Sequence, residues 1–137
     1  MSRKSFLTLV SIIAMSVGTV ALLLPAALLD SKGVGPNPAA NVWAREVGAA
    51  LISIAVVAFI VRDHPDSPTM KAFLLGNAVL QLGLLPIEII ALANGTLTKL
   101  SGIVPNSVLH VVLAAAFAYY ATRIGRVTAQ VQSEGEC

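Results

Sequence analysis

Charge is what this sequence has least of. Asp, Glu, Lys and Arg make up 12% of its 137 residues, against roughly 25% in a soluble domain. Aromatic residues are also few, at 5%, and there is a single cysteine, Cys137. So little charge in an apolar chain excludes a disordered segment and a nucleic-acid-binding domain, which needs a basic face to meet phosphates. One thiol excludes an internal disulfide framework and a cysteine-based metal site. The sequence has no phosphate-binding loop, dinucleotide fingerprint, zinc-ligand spacing or nucleophile elbow. It gives no sign of a cofactor or a metal.

What fills the space is hydrocarbon. Hydrophobic residues are 56% of the chain, and they come in long blocks. Residues 5–29 carry no charge between Lys4 and Asp30, and a spanning helix needs about 20 residues. A signal peptide starting at Arg3 and Lys4 is the rival reading. Its apolar core would be only about 7–15 residues, so a retained span is expected. Further spans are expected over residues 43–61, 70–93 and 103–122. The second must include Arg45 and Glu46, because the uncharged stretch after them is too short to cross alone. The third holds Glu88 and Pro86, and the fourth holds His110.

Between these blocks lie residues 30–41, 62–69 and 94–102, all short and rich in turn-forming Gly, Pro, Asn and Asp. Short links make neighbours in sequence neighbours in space. The expected fold is all-α, an antiparallel four-helix membrane bundle. It would form one domain over residues 1–122, with a polar cytoplasmic tail over 123–137. Within the links, Gly95 and Gly102 read as turn glycines, whereas Gly48 and Gly76 read as close-packing positions. The His64-Pro65-Asp66 tripeptide matches that of J-domain co-chaperones, but nothing else of that domain is present, so it reads as a turn.

Lysine and arginine set the orientation. Arg3, Lys4, Arg62, Lys71, Arg123 and Arg126 fall on one side, against Lys32, Lys99 and the interfacial Arg45 on the other. The positive-inside rule then puts both termini in the cytoplasm, most simply of a bacterial inner membrane. That orientation brings Trp43, Arg45, Glu46, Glu88, Asn106 and His110 to the outer half of the membrane.

Helical periodicity groups the polar side chains. At about 100° per residue, Asn77, Gln81 and Glu88 fall within about 40° of one another. Asn106, His110, Leu113 and Phe117 share a stripe, with Tyr120 at its edge. Trp43, Glu46, Ala50, Ser53 and Val57 form another, and Thr8, Ser11, Met15 and Thr19 a fourth. Polar groups in lipid are costly, so each stripe is expected to face inward. Pro86 cannot donate to the Leu82 carbonyl, which frees an acceptor beside Glu88.

One function follows from this convergence. Glu46, Glu88 and His110 would line an outer-half cavity as catalytic groups. Arg45, Asn77, Gln81 and Asn106 would orient a ligand, with Trp43, Phe117 and Tyr120 as apolar walls. Glu88 and His110 would be a proton-transfer pair acting on an apolar molecule of lipid, isoprenoid or polyketide type, as an isomerase or cyclase. The logic is similar to that of the four-span sterol isomerases, which set His and Glu inside a bundle. Against this stands a plainer reading, in which the polar groups only join helices. Arg45 would then pair with Glu46 or Glu88, and His110 would bond Asn77, Gln81 or a backbone carbonyl. The protein would be a non-catalytic accessory or membrane-stress subunit. A third reading is a small proton-coupled transporter, with a homodimer interface through Glu88.

The layout also resembles the DoxX-like small four-span bacterial membrane proteins. The shared features are an extracytoplasmic first loop and Ala44-Arg45-Glu46-Val47-Gly48 opening span two. A polar span three and a histidine, His110, after an Asn-bearing start of span four complete the likeness. It covers residues 22–120. It implies a four-span bacterial membrane fold and assigns no catalytic residue.

Overall fold

The structure is a computed structural model that describes the backbone of residues 1–134 and the side chains of residues 1–124. Among the described residues five helices make up the fold: α1 (Arg3–Leu23), α2 (Pro25–Ser31), α3 (Pro38–Val61), α4 (Pro68–Ala93) and α5 (Leu100–Glu134). Four of them, α1, α3, α4 and the Leu100–Ile124 part of α5, are long and apolar enough to cross a membrane. The chain is therefore an all-α integral membrane protein, as its composition implies. In hydrocarbon a helix satisfies its own backbone groups, which water cannot reach.

A side-chain cap starts three of these helices, α1, α3 and α4. Ser2 accepts from the Ser5 N–H at 3.1 Å, Asn37 from Ala40 at 3.0 Å and Ser67 from Met70 at 3.1 Å. Pro38 and Pro68 follow two of these caps, where a missing N–H costs nothing and φ is already helical. This is why α3 begins well before the expected position 43: hydropathy marks where apolar residues begin, whereas the cap marks where the helix does. Span one differs more. It is broken at Leu24, whose φ of −126° and ψ of 49° leave the helical region. The following Pro25 imposes this, since its ring crowds the preceding residue out of that region. The chain restarts as α2. Pro86 and Pro105, by contrast, lie inside α4 and α5. Helix α5 continues past the expected end at 122. The tail's side chains beyond Ile124, Arg126 and Cys137 among them, lie outside the described residues.

The chain forms two compact units. The first comprises Met1–Asp63 and Ala91–Val104. Here α1 and α3 run antiparallel, with Lys4 against Asp63 at one end and Gly18 against Gly48 further along. A Cβ on Gly48 would stand 2.7 Å from the Gly18 carbonyl oxygen, so two backbones meet where side chains are missing. Lipid tails are as apolar as leucine, and such close contact is what joins helices there. The buried face of α3 is Gly48, Ala55 and Ala58, and that of α1 includes Leu7, Val10, Gly18 and Ala21. The expected inward stripe of α3 is wrong: Trp43, Glu46, Ala50, Ser53 and Val57 are all exposed. Met15 and Thr19 of α1 are exposed too. The reason lies in the hydroxyls. Ser53 donates to Ala49 O, Ser11 to Leu7 O and Thr8 to Lys4 O, each on its own helix, so none needs an inward partner.

The same unit ties its loops together. Thr98 and Lys99 donate their N–H groups to Lys32 O at 3.1 and 3.2 Å. Lys99 Nζ donates to Asp30 O at 2.8 Å and pairs with its carboxylate at 3.2 Å. Gly33 sits at φ 82°, and Gly102 packs on the Ser31 carbonyl with no room for a Cβ. At the opposite end Asp63 takes Lys4 at 2.6 Å and Arg62 Nε at 3.3 Å. The Lys4 hydrogen bond, with Arg62 behind it, holds this carboxyl below the usual aspartate range.

The second unit comprises His64–Ile90 and the chain from Pro105 onward. Its helices α4 and α5 run antiparallel. Met70, Leu74 and Ala78 are buried on α4; Leu113, Ala114, Phe117 and Ala121 are buried on α5. Gly76 is not a packing position, because a Cβ there meets open space.

Candidate functional site

Glu88 is a carboxylate inside an apolar span, and it is only 8% exposed. It lies about 8 Å before the end of α4 at 1.5 Å per residue. Two donors from α5 hold it: Asn106 Nδ2 to Oε1 at 2.6 Å, and Ser107 Oγ to Oε2 at 2.7 Å. The Asn106 amide nitrogen also donates to His110 Nε2, 2.9 Å away. On its other side His110 Nδ1 lies 2.5 Å from Gln81 Oε1. The result is one chain, Ser107–Glu88–Asn106–His110–Gln81, crossing three times between two helices.

Valence fixes its hydrogens. An amide nitrogen only donates, so His110 Nε2 accepts and Nδ1 carries the proton to Gln81. Imidazole in this chain is the neutral Nδ1–H tautomer. Both hydrogens of Asn106 Nδ2 are used. Two positions stay open among the described residues: the Asn106 carbonyl, an acceptor, and the Gln81 NH2, a donor.

Backbone sequence places these groups. Gln81 and Glu88 are two turns apart on α4, and Asn106 and His110 one turn apart on α5, so each pair shares a face. Pro86 and Pro105 sit just before Glu88 and Asn106, and each deletes one helix donor at the level of the chain.

The residues expected to form the site divide between the units. Glu88, His110, Gln81 and Asn106 come together as bonded partners. Phe117, fully buried, and Tyr120, half-buried, follow on α5. Asn77 is buried on α4, but its amide donates to the Phe73 carbonyl of its own helix at 2.9 Å. Trp43, Arg45 and Glu46 belong to the other unit. Trp43 is 68% exposed, and Arg45 and Glu46 are exposed with no ion pair among the described residues. The pairing of Arg45 with Glu46 or Glu88 does not form. Adjacent residues on a helix point about 100° apart, too far for a close contact. Ser107 is the member that periodicity misses. A serine beside Asn106 looks like turn chemistry, although it lies one turn from His110 on the same helix.

Compared with known proteins, the chain matches no family model, and no curated protein or solved structure is similar to it. Fold and site together define its class: a helical integral membrane protein with an ionisable hydrogen-bonded chain inside one helix pair.

Proposed function

We propose that the α4–α5 chain is a binding site for a small molecule with an apolar body and a polar head, and that Glu88 and His110 exchange protons with it. The supporting observation is the pair of open valences flanking His110. At membrane depth an unfilled amide group is costly, and a ligand head offering an acceptor to Gln81 and a donor to Asn106 fills both. Such a head displaces Asn106 from His110 Nε2 and leaves a base beside Glu88. Proton transfer between the two groups then runs through the ligand, as an isomerisation or cyclisation requires. In the same reading both termini are cytoplasmic, in a bacterial inner membrane, following the Lys/Arg bias.

Native mass spectrometry and extraction of gently purified wild type, Glu88→Gln and His110→Ala test the proposal. The expected result is an apolar molecule retained by the wild type and lost or chemically altered in the variants. No ligand in any of the three, with unchanged mutant stability, overturns it. The accessory-subunit reading then leads, and one observation favours it: every member of the chain already has a partner without a ligand.

A further inference from the structure

A second site is suggested on the first unit, independent of the polar chain. A groove of about 330 Å³ runs between α1 and α3, lined by Ile12, Met15 and Ser16 on one side and Ala55, Val56 and Phe59 on the other. At its mouth the Arg62 guanidinium lies 3.3 Å above the centre of the Phe59 ring. Arg62 spends its Nε on Asp63 at 3.3 Å, and its terminal nitrogens bond nothing among the described residues. Its side chain is 22% exposed. Lys4 occupies the other oxygen of Asp63, and Arg3 lies next to it in sequence. Lys4 and Arg62 against Asp63 leave an excess of one positive charge at the end of an apolar groove.

We propose that this groove holds an acyl chain of an anionic phospholipid, with the free edge of the Arg62 guanidinium on its phosphate. A planar fork of N–H donors fits phosphate oxygens in pairs, and the ring beneath fixes its place. The occupant has to be apolar below and negative above. A second copy of the chain fails that requirement. Copies inserted the same way would bring Arg62 towards Arg62 at the same depth, and like charges repel. The lipid lies in the leaflet on the side of the N-terminus.

The test uses the full chain in nanodiscs of equal phosphatidylglycerol and phosphatidylcholine, with retained lipid counted by native mass spectrometry after mild detergent extraction. Wild type should retain the anionic lipid over the zwitterionic one by roughly fivefold, as one well-placed cation gives. Arg62→Gln should abolish the preference, and Arg62→Lys should keep part of it. Ser16→Phe fills the groove from an exposed position and should retain neither lipid, with every charge intact. Lys71→Gln removes a cation from α4 and should behave as wild type. Three results overturn the proposal: no preference in wild type, a preference that survives Arg62→Gln, or equal losses in Arg62→Gln and Lys71→Gln. Lipid retained unchanged by Ser16→Phe removes the groove from it.

Discussion

The two helix pairs of this protein are joined by opposite means. Helices α1 and α3 meet through missing side chains, with glycine against glycine, and their serines turn back on their own backbones. Helices α4 and α5 meet through a row of polar side chains that bond across the gap. Both solve the same problem. Between helices in lipid no water is expelled, so only close packing or hydrogen bonds can favour contact. The first solution depends on shape and tolerates no added atom. The second depends on valence, and each member can be deleted at a graded cost. The Gly18–Gly48 contact holds no titratable group, whereas the contact between α4 and α5 holds Glu88 and His110.

The largest effect is expected at Gly48, where α1 and α3 approach most closely. Gly48→Leu drives a side chain into the Gly18 carbonyl and Leu22 nitrogen, both backbone atoms at 2.7 Å from the new Cβ. The expected loss is about 3 kcal/mol, read from thermal unfolding in detergent. Gly76→Leu, into open space, should leave the transition near its wild-type position. Equal losses in the two would show that close packing does not join α1 to α3.

In the polar pair, Asn106→Ala strips a donor from both Glu88 and His110, and should cost about 1–2 kcal/mol. A double-mutant cycle with His110→Ala should show a coupling of about 0.6–1.7 kcal/mol. Strict additivity would mean that the two side chains do not act as one chain. Ser107→Ala, which leaves Glu88 its bond from Asn106, should cost less, about 0.5–1 kcal/mol.

The smallest effect is at the exposed Lys4–Asp63 pair. Asp63 is held below the usual aspartate range, so folding favours its ionised form. Its contribution is complete above that range and is lost as pH falls through the lowered value. Wild type and Asp63→Asn should therefore differ slightly at neutral pH and converge only in acid below the usual carboxylate range. Convergence already at mildly acid pH would contradict the pairing.

Much of this was legible in the sequence, and the misses have common causes. The spans were legible because a row of apolar residues long enough to cross hydrocarbon has few alternatives. Gln81, Glu88, Asn106 and His110 were legible because they are long or ionisable polar side chains at helical spacing inside otherwise apolar spans. The α3 stripe failed for the converse reason: Ser53 satisfies itself, and Gly48, Ala55 and Ala58 face inward because they are small, a property hydropathy does not record. The break at Leu24 was hidden because a lone proline can either stop a helix, as Pro25 does, or sit inside one, as Pro86 does. Ser107 was hidden because a serine can bond back to its own helix, as Ser11 and Ser53 do, and its spacing does not record that its hydroxyl reaches Glu88 instead.

The amide of Asn106 makes the polar chain directional. Each of its side-chain atoms is committed as giver or taker, and reversing its link to Glu88 reverses the links to His110 and Gln81 with it, while Ser107 still donates to the other carboxyl oxygen. Put a proton on Glu88 and aim it at Asn106, and the amide must turn its oxygen to meet it. That oxygen then faces His110 Nε2, the imidazole must hold its hydrogen there, and Gln81 must turn its NH2 towards Nδ1. The two hydrogen patterns run in opposite directions through the same four residues, Glu88, Asn106, His110 and Gln81. With the reversal the open acceptor of Asn106 becomes a donor, and the open donor of Gln81 becomes an acceptor. A single proton on α4 thus changes what kind of molecule the neighbouring helix is prepared to greet.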